Sequence, residues 1–340
     1  MNQLEIEEHL DKLAQQTESD IEEVFNRRLR VILNQLAGMY EKYANKDNEI
    51  SWTDVNKYQR LTKELTRINK ELTGAYKEIV KTLQKSTENI YLEGYLRHMY
   101  LYEMSTGYSM RVTLPSMDVI GEILLNPIAK LTLPSIFETH RNQIVRRINI
   151  EIAQGIQAGE GYAVMAKRVE NIFKGVNGAR KKARTVVRTE AGRARTIAGL
   201  KSDEKASKYA NLTGVWLSAL DLKVRTSHQI LDGKETDAEG YFRYKGMKAK
   251  GPHLWNVPHM DISCRCVKIS KVGGMLPEYR RGRNYMDEGY QEKLAERIEQ
   301  YTAKDMTYKQ ALKAAQKEIQ PPSTTIPYTT FDDWKKKFAV

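Results

Sequence analysis

Two thiols one residue apart, Cys264 and Cys266, are the only cysteines of the chain, and three imidazoles precede them closely: His228, His253 and His259. Thiolate sulfur and imidazole nitrogen are the donors that zinc prefers, and a structural zinc site takes four of them in a tetrahedron. Residues 262–269 read as a strand. Side chains alternate along a strand, so both sulfurs would point to one face. Two ligands must then come from elsewhere, which makes Cys264, Cys266, His228 and His259 (or His253) a candidate zinc set. The spacing is not that of a standard zinc finger. The competing reading is a pair of small buried apolar groups with locally hydrogen-bonded histidines.

A second chemistry is open to overlapping residues. A histidine beside a carboxylate can move protons, and arginines can hold phosphate, so Arg188, Glu190, Arg225, His228 and Asp232 suit a nuclease or nucleotidyl-transfer enzyme centred on His228. The chain has no phosphate-binding glycine loop, no nucleophile elbow and no His-Glu-x-x-His run. An ion-pair network holding a small domain together explains the same residues, and the chain is read as a non-enzyme.

Charge gives a third candidate. Residues 167–195 carry ten basic side chains against Glu170 and Glu190 alone, whereas residues 1–50 hold 6 basic and 11 acidic ones. A basic helix face suits double-stranded DNA without sequence preference, because neutralising phosphates releases condensed counterions. Lys181, Lys182, Arg184, Arg188 and Arg195 are the expected DNA contacts. The alternatives are a solvated face or one that docks on an acidic protein.

Helices must position these groups. Ile21, Val24, Phe25, Leu29, Ile32, Leu36, Met39 and Tyr43 form one amphipathic stripe. Ser51, with Asp54 three residues on, opens a second helix. It carries Tyr58, Leu65, Leu72 and Ile79 at seven-residue steps, and Leu61, Ile68 and Ala75 in the second seam position, as in an antiparallel helix pair. Tyrosines 91, 95, 100, 102 and 108 read as a core helix. Leu114-Pro115, Asn126-Pro127 and Leu133-Pro134 break the pattern. Ser135 with Glu138 reads as a capping box for a helix bearing Ile144, Ile148, Ile152 and Ile156. A short helix over 162–173, a glycine turn over 175–178 and the basic helix from 179 to about 209 follow.

Beyond Asn211 the texture changes. Residues 215–219, 241–244 and 262–269 read as strands, 226–231 as one or two helical turns, and 246–260 as loop. One or two helices are expected between about 285 and 319, and Phe331, Trp334 and Phe338 resemble a docking peptide. The fold expected is α+β and mostly helical. An elongated helical region is expected over 1–178. A small domain with a short sheet follows over 179–272, then a polar helical tail over 273–340.

The ordered run Arg188-Thr189-Glu190, Trp216, Asp221 to Gly233 (with Arg225, His228 and Asp232), Gly251-Pro252, Val257-Pro258 and Asp261-Ile262-Ser263-Cys264-Arg265-Cys266 resembles the phage Mu protein F-like family, the minor head proteins of tailed phages. The resemblance covers about 135–270. Ser263 stands where the family often has Asn, and Gln229 where Ala is frequent. It implies a virion component of the phage head, made in the host cytoplasm. Such a component associates with the portal and with major capsid or scaffold protein, and acts in head morphogenesis and in DNA packaging or ejection. It also gives Arg188 an internal role beside Glu190. Some relatives carry an extra toxin or nuclease domain after the Cys-x-Cys motif, and residues 273–340 look too short and too poor in catalytic groups for one.

Composition fits this picture. The chain has 340 residues, a formal net charge of +12 and 41% apolar residues. No run of 18 apolar residues exists, so no transmembrane helix is expected, and Met1 to Glu5 does not resemble a secretory signal. Two cysteines cannot build a disulfide framework, which suits a reducing cytoplasm.

Overall fold

The computed structural model describes residues 2–110, 112–114, 133–174 and 178–338. Pro115, Asn126-Pro127 and the turn at Gly175 lie outside the described residues, as do the side chains of Tyr58 and Phe338. The architecture is a mostly helical α+β fold.

Two long helices set the scale, α1 (Gln3–Tyr43) and α3 (Arg60–Thr106). At 1.5 Å per residue they are about 60 and about 70 Å long. They run antiparallel, since Gln3 meets His98, Thr17 meets Ser86 and Arg28 meets Glu71. The heptad residues Leu61, Ile68, Leu72, Ala75 and Ile79 of α3 are buried against the Ile21-to-Met39 stripe. Ser51 does cap a helix, its Oγ accepting from the Asp54 N–H at 3.4 Å, but that helix is only α2 (Trp52–Asn56). A short 3-10 turn follows, and Gln59 in the left-handed region (φ 56°) separates it from α3. Of the tyrosines, 91, 95 and 102 are buried, while 100 and 108 are exposed.

Helices α4 (Leu133–Gln157), α5 (Tyr162–Lys174) and α6 (Ala179–Ala206) complete the bundle. Ser135 lies inside α4 rather than capping it, because the helix already begins at Leu133. Its Ile144, Ile148, Ile152 and Ile156 face the core as the spacing requires. Helix α6 runs parallel to α3 and antiparallel to α1. Its buried face is rich in small residues, Ala179, Ala183, Ala191, Gly192, Ala194, Ala198 and Ala206, beside Val187 and the buried Glu190 and Arg193. Close approach follows; a Cβ on Gly94 of α3 would sit 3.1 Å from the Ala198 Cβ.

The remainder is built from pairs of strands. In chain order come β1 (Leu212–Leu217), α7 (Thr226–Leu231), β2 (Phe242–Tyr244), β3 (Met247–Ala249), α8 (Pro258–Asp261), β4 (Val267–Val272), β5 (Tyr279–Arg283), α9 (Glu288–Thr302), α10 (Tyr308–Glu318), β6 (Ser323–Pro327) and α11 (Phe331–Phe338). Strands β1–β4, β2–β3 and β5–β6 pair antiparallel, with Trp216 opposite Lys268. The 246–260 stretch is not all loop, for it holds β3 and α8. Cys264 and Cys266 do not lie on a strand; they stand just before β4, outside any regular element.

The tail packs into the small domain. Arg280 of β5 and Asp232 are each about 1% exposed and ion-paired at 3.0 Å. The Arg280 guanidinium also donates to the Ser218 carbonyl at 2.6 Å, and the Phe331 N–H donates to Asp232 at 2.6 Å. Phe331 and Trp334 are buried against Leu220, so these two aromatics dock within their own chain.

Candidate functional site

The sulfur–imidazole cluster is assembled by one arginine. Arg225 sits at the start of α7 and donates to the carbonyls of Met260 (3.3 Å) and Ile262, which ties the helix bearing His228 to the turn that leads into Cys264. Ser263 takes the left-handed conformation (φ 55°), and its N–H donates to Thr189 Oγ1 of α6 at 3.1 Å. His228 Nδ1 then lies 3.5 Å from Cys264 Sγ and 3.3 Å from Cys266 Sγ. One donor atom from each residue lies within 4.8 Å of the other two, a group able to hold a metal ion. Zinc bonds of about 2.3 Å to sulfur and about 2.0 Å to nitrogen at a tetrahedral angle put the two donors about 3.5 Å apart, so the spacing fits.

The surroundings are apolar. Trp216 lies 5.6 Å from the His228 ring, 5.3 Å from Phe242 and 5.9 Å from Trp255, centroid to centroid. Burial raises both thiols. At Cys264 this is overcome by a hydrogen bond from Cys266 and by the imidazoles of His253 and His228, which hold its thiol well below the ordinary range. Cys266, buried and beside that developing thiolate, is pushed well up. The pair therefore favours one proton between two sulfurs.

His259, expected as fourth ligand, is exposed on α8 and stands outside the cluster. Its alternative His253 is buried but likewise stands outside the three-residue group; burial lowers its pKa while Cys264 opposes that shift. Its Nδ1 has no hydrogen-bond partner, and its Nε2 presses on α6, where a Cβ on Gly192 would come within 2.2 Å.

The acid–base set does not assemble around His228. Glu190 pairs with Arg193 at 2.8 Å, both buried. Asp232 is taken by Arg280, by the Ser218 N–H (2.6 Å) and by the Phe331 N–H. Asp221 accepts both guanidinium arms of Arg265, one at 2.8 Å. Gly233, at φ 74°, donates to the Trp216 carbonyl at 2.8 Å. Among the described residues no carboxylate hydrogen-bonds to His228.

Most of the expected DNA contacts face acid of the same chain. Arg188 pairs with Glu18 of α1, Arg184 with Glu18 (3.4 Å) and Glu22 (3.2 Å), and Arg195 with Asp11 (3.0 Å). Lys182 reaches Gln143 at 3.0 Å and Lys181 is exposed. The acidic surface that the basic helix docks on is therefore α1. Glu18, Glu22, Asp11 and Arg280 were not singled out from sequence; the opposite charge of residues 1–50 was the signal for the first three.

A small α+β domain braced by its own polar motif is thus set on a long helical bundle. The chain belongs to the phage Mu protein F-like family of minor head proteins: that family's model, "Phage Mu protein F like protein", matches residues 146–269. Minor head protein GP7 of Bacillus phage SPP1 is 37% identical over 284 residues, covering 83% of this chain and 91% of that protein. NAD(+)--arginine ADP-ribosyltransferase EFV of Enterococcus faecalis is 28% identical over 295 residues, covering 85% of this chain but 59% of that protein. No solved structure matches the chain.

Proposed function

We propose that this minor head protein works in the phage head by binding rather than by catalysis: it docks on portal and capsid or scaffold protein through the helical bundle, and touches double-stranded DNA through the exposed end of α6. The observation that carries this reading is the use of the polar motif. Arg188, Glu190, Asp221, Arg225, Asp232, Gly233 and Arg265 all bond within the chain, and no carboxylate among the described residues hydrogen-bonds to His228, which favours a scaffold over an acid–base centre there. Of the five expected DNA contacts, Lys181 and Lys182 are the two with no carboxylate partner among the described residues. The protein would reside in the virion, assembled from the host cytoplasm.

Zinc is proposed as a structural ion held by His228, Cys264 and Cys266, with the fourth ligand coming from outside that group. When bound it would supply folding energy to a domain whose core is small. The test of the function is co-sedimentation of the purified chain with portal protein and, separately, with DNA. Portal binding that survives K181E/K182E, with DNA binding lost, supports the reading. Nicking of DNA that disappears in His228→Ala would replace it with the enzyme.

A further inference from the structure

Between the bundle and the small domain lies a cavity of about 580 Å³, large enough for a nucleotide-sized ligand. Its small-domain wall carries Lys223, Arg225, Arg265, Arg281 and Arg283; its bundle wall carries Glu7, Asp11 and Glu18 with Arg188 and Arg195. The carboxylates do not balance the cations. Glu18 is occupied by Arg184 and Arg188, and Asp11 by Arg195 and Arg281. Asp221, behind the wall, is shared between Arg265 and Arg283, the latter at 3.7 Å. Burial pushes the Glu7 carboxyl up, toward its neutral form.

Lys223 and Arg225 have no carboxylate within ion-pair distance among the described residues. Lys223 Nζ donates to the Glu318 carbonyl at 3.2 Å, and Arg225 to the carbonyls of Met260 and Ile262. The crowding leaves a mark. Burial, then Arg265, holds the Lys223 ammonium below its ordinary range; burial, with Arg265 and Arg281 adding to it against Asp221, does the same for Arg283.

We propose that this cavity is a binding site for a phosphate-bearing anion, held by Lys223, Arg225 and Arg283. Guanidinium forks match the paired oxygens of a phosphate, and a lysine adds a point charge. A phosphate would supply the negative charge that this wall lacks. The chemistry is shared by a free phosphate or pyrophosphate and by the phosphodiester of a nucleic acid. The site stands apart from the DNA contacts proposed for Lys181 and Lys182.

The test is calorimetry and thermal melting of the full chain with pyrophosphate, followed by competition with a short single-stranded oligonucleotide. Pyrophosphate should raise Tm, and its affinity should fall at least about tenfold in Lys223→Gln, whose removal orphans no carboxylate. Arg283→Lys, which keeps the charge and loses the fork, should weaken binding several-fold and serves if the first variant melts early. Competition by the oligonucleotide assigns the site to a phosphodiester; its absence assigns it to the free anion. No shift with pyrophosphate, or equal affinity in wild type and both variants, overturns the site even if the chain binds DNA.

Discussion

Arg188 of α6 lays its guanidinium along the carboxylate of Glu18 on α1, Nε to Oε1 at 2.5 Å and Nη2 to Oε2 at 3.0 Å, across 170 residues of sequence. The pair is half in solvent, with Arg188 53% exposed, so it is worth about 0.2–1 kcal/mol to stability. Its larger effect is on charge. A helix that reads as strongly basic presents little free cation, because α1 neutralises it.

DNA binding should therefore be weak and shallow in salt. If Lys181 and Lys182 are the contacts, the slope of log affinity against log salt is about −2, where five contacts would give about −4.5. Glu18→Gln, which frees Arg188 and loosens Arg184, should steepen it by about 1. A salt titration by fluorescence anisotropy reads both. An unchanged slope in Glu18→Gln would show that these arginines never reach phosphate.

Removing the tail should unfold more than the tail. A chain ending at residue 272 loses Arg280 and leaves Asp232 buried without its cation, and Arg280→Met does the same at one point. A broken buried pair costs about 3–5 kcal/mol. Urea unfolding should show that loss in Arg280→Met, with part of it recovered when Asp232→Asn is added. A loss under about 1 kcal/mol would mean that β5 is not integral to the domain.

Two helical glycines should respond oppositely to alanine. Gly38 in α1 has nothing within 4 Å of a new Cβ, so Gly38→Ala should stabilise by about 0.5–1 kcal/mol. A Cβ added at Gly192 in α6 would come within 2.2 Å of His253 Nε2, so Gly192→Ala should destabilise by about 1–3 kcal/mol through overpacking. Thermal melts of the two variants decide it; equal stabilisation would mean that His253 is not seated against α6.

Acid should weaken the bundle through His140. Its ring lies 3.3 Å from the Tyr76 hydroxyl, and burial, with Lys182 adding, lowers its pKa from 6.5 to about 4. The unfolded chain takes up this proton before the folded one does, so stability is full above about pH 6.5 and falls as pH drops toward 4, by about 2–3 kcal/mol. His98 and His253, also shifted down by burial, add in the same direction. His140→Gln should flatten the fall in Tm between pH 7 and 4.5. An identical slope would remove His140 as its source.

Metal removal gives a further readout. Elemental analysis should find about one zinc per chain, and a chelator should lower Tm; Cys266→Ser should lose both the metal and the chelator effect. Metal-free protein with an unchanged melt would leave the cluster as a thiol–imidazole core.

Much of the fold is legible because helical spacing is local. The Ile144-to-Ile156 face and the Leu61-to-Ile79 seams can be read directly, since a repeating apolar stripe has one way to be buried. What was not legible depends on long-range partners. Nothing near Gln59 in sequence announces a break between α2 and α3, and three-residue strands such as β2 and β3 carry too little pattern. The Cys264–Cys266 pair is legible as a cluster with His228, yet that neither His253 nor His259 brings a donor atom into it follows only from tertiary packing. The basic stretch over 167–195 was visible, but that its counter-charge lies in residues 1–50 follows only from the antiparallel packing of α1 and α6.

The most direct measurement is quantitative mass spectrometry of purified mature particles and of procapsids. A binding component of the head should be present in both, at a few copies per portal ring. Particles that assemble, package DNA and infect normally with no trace of this polypeptide would contradict it.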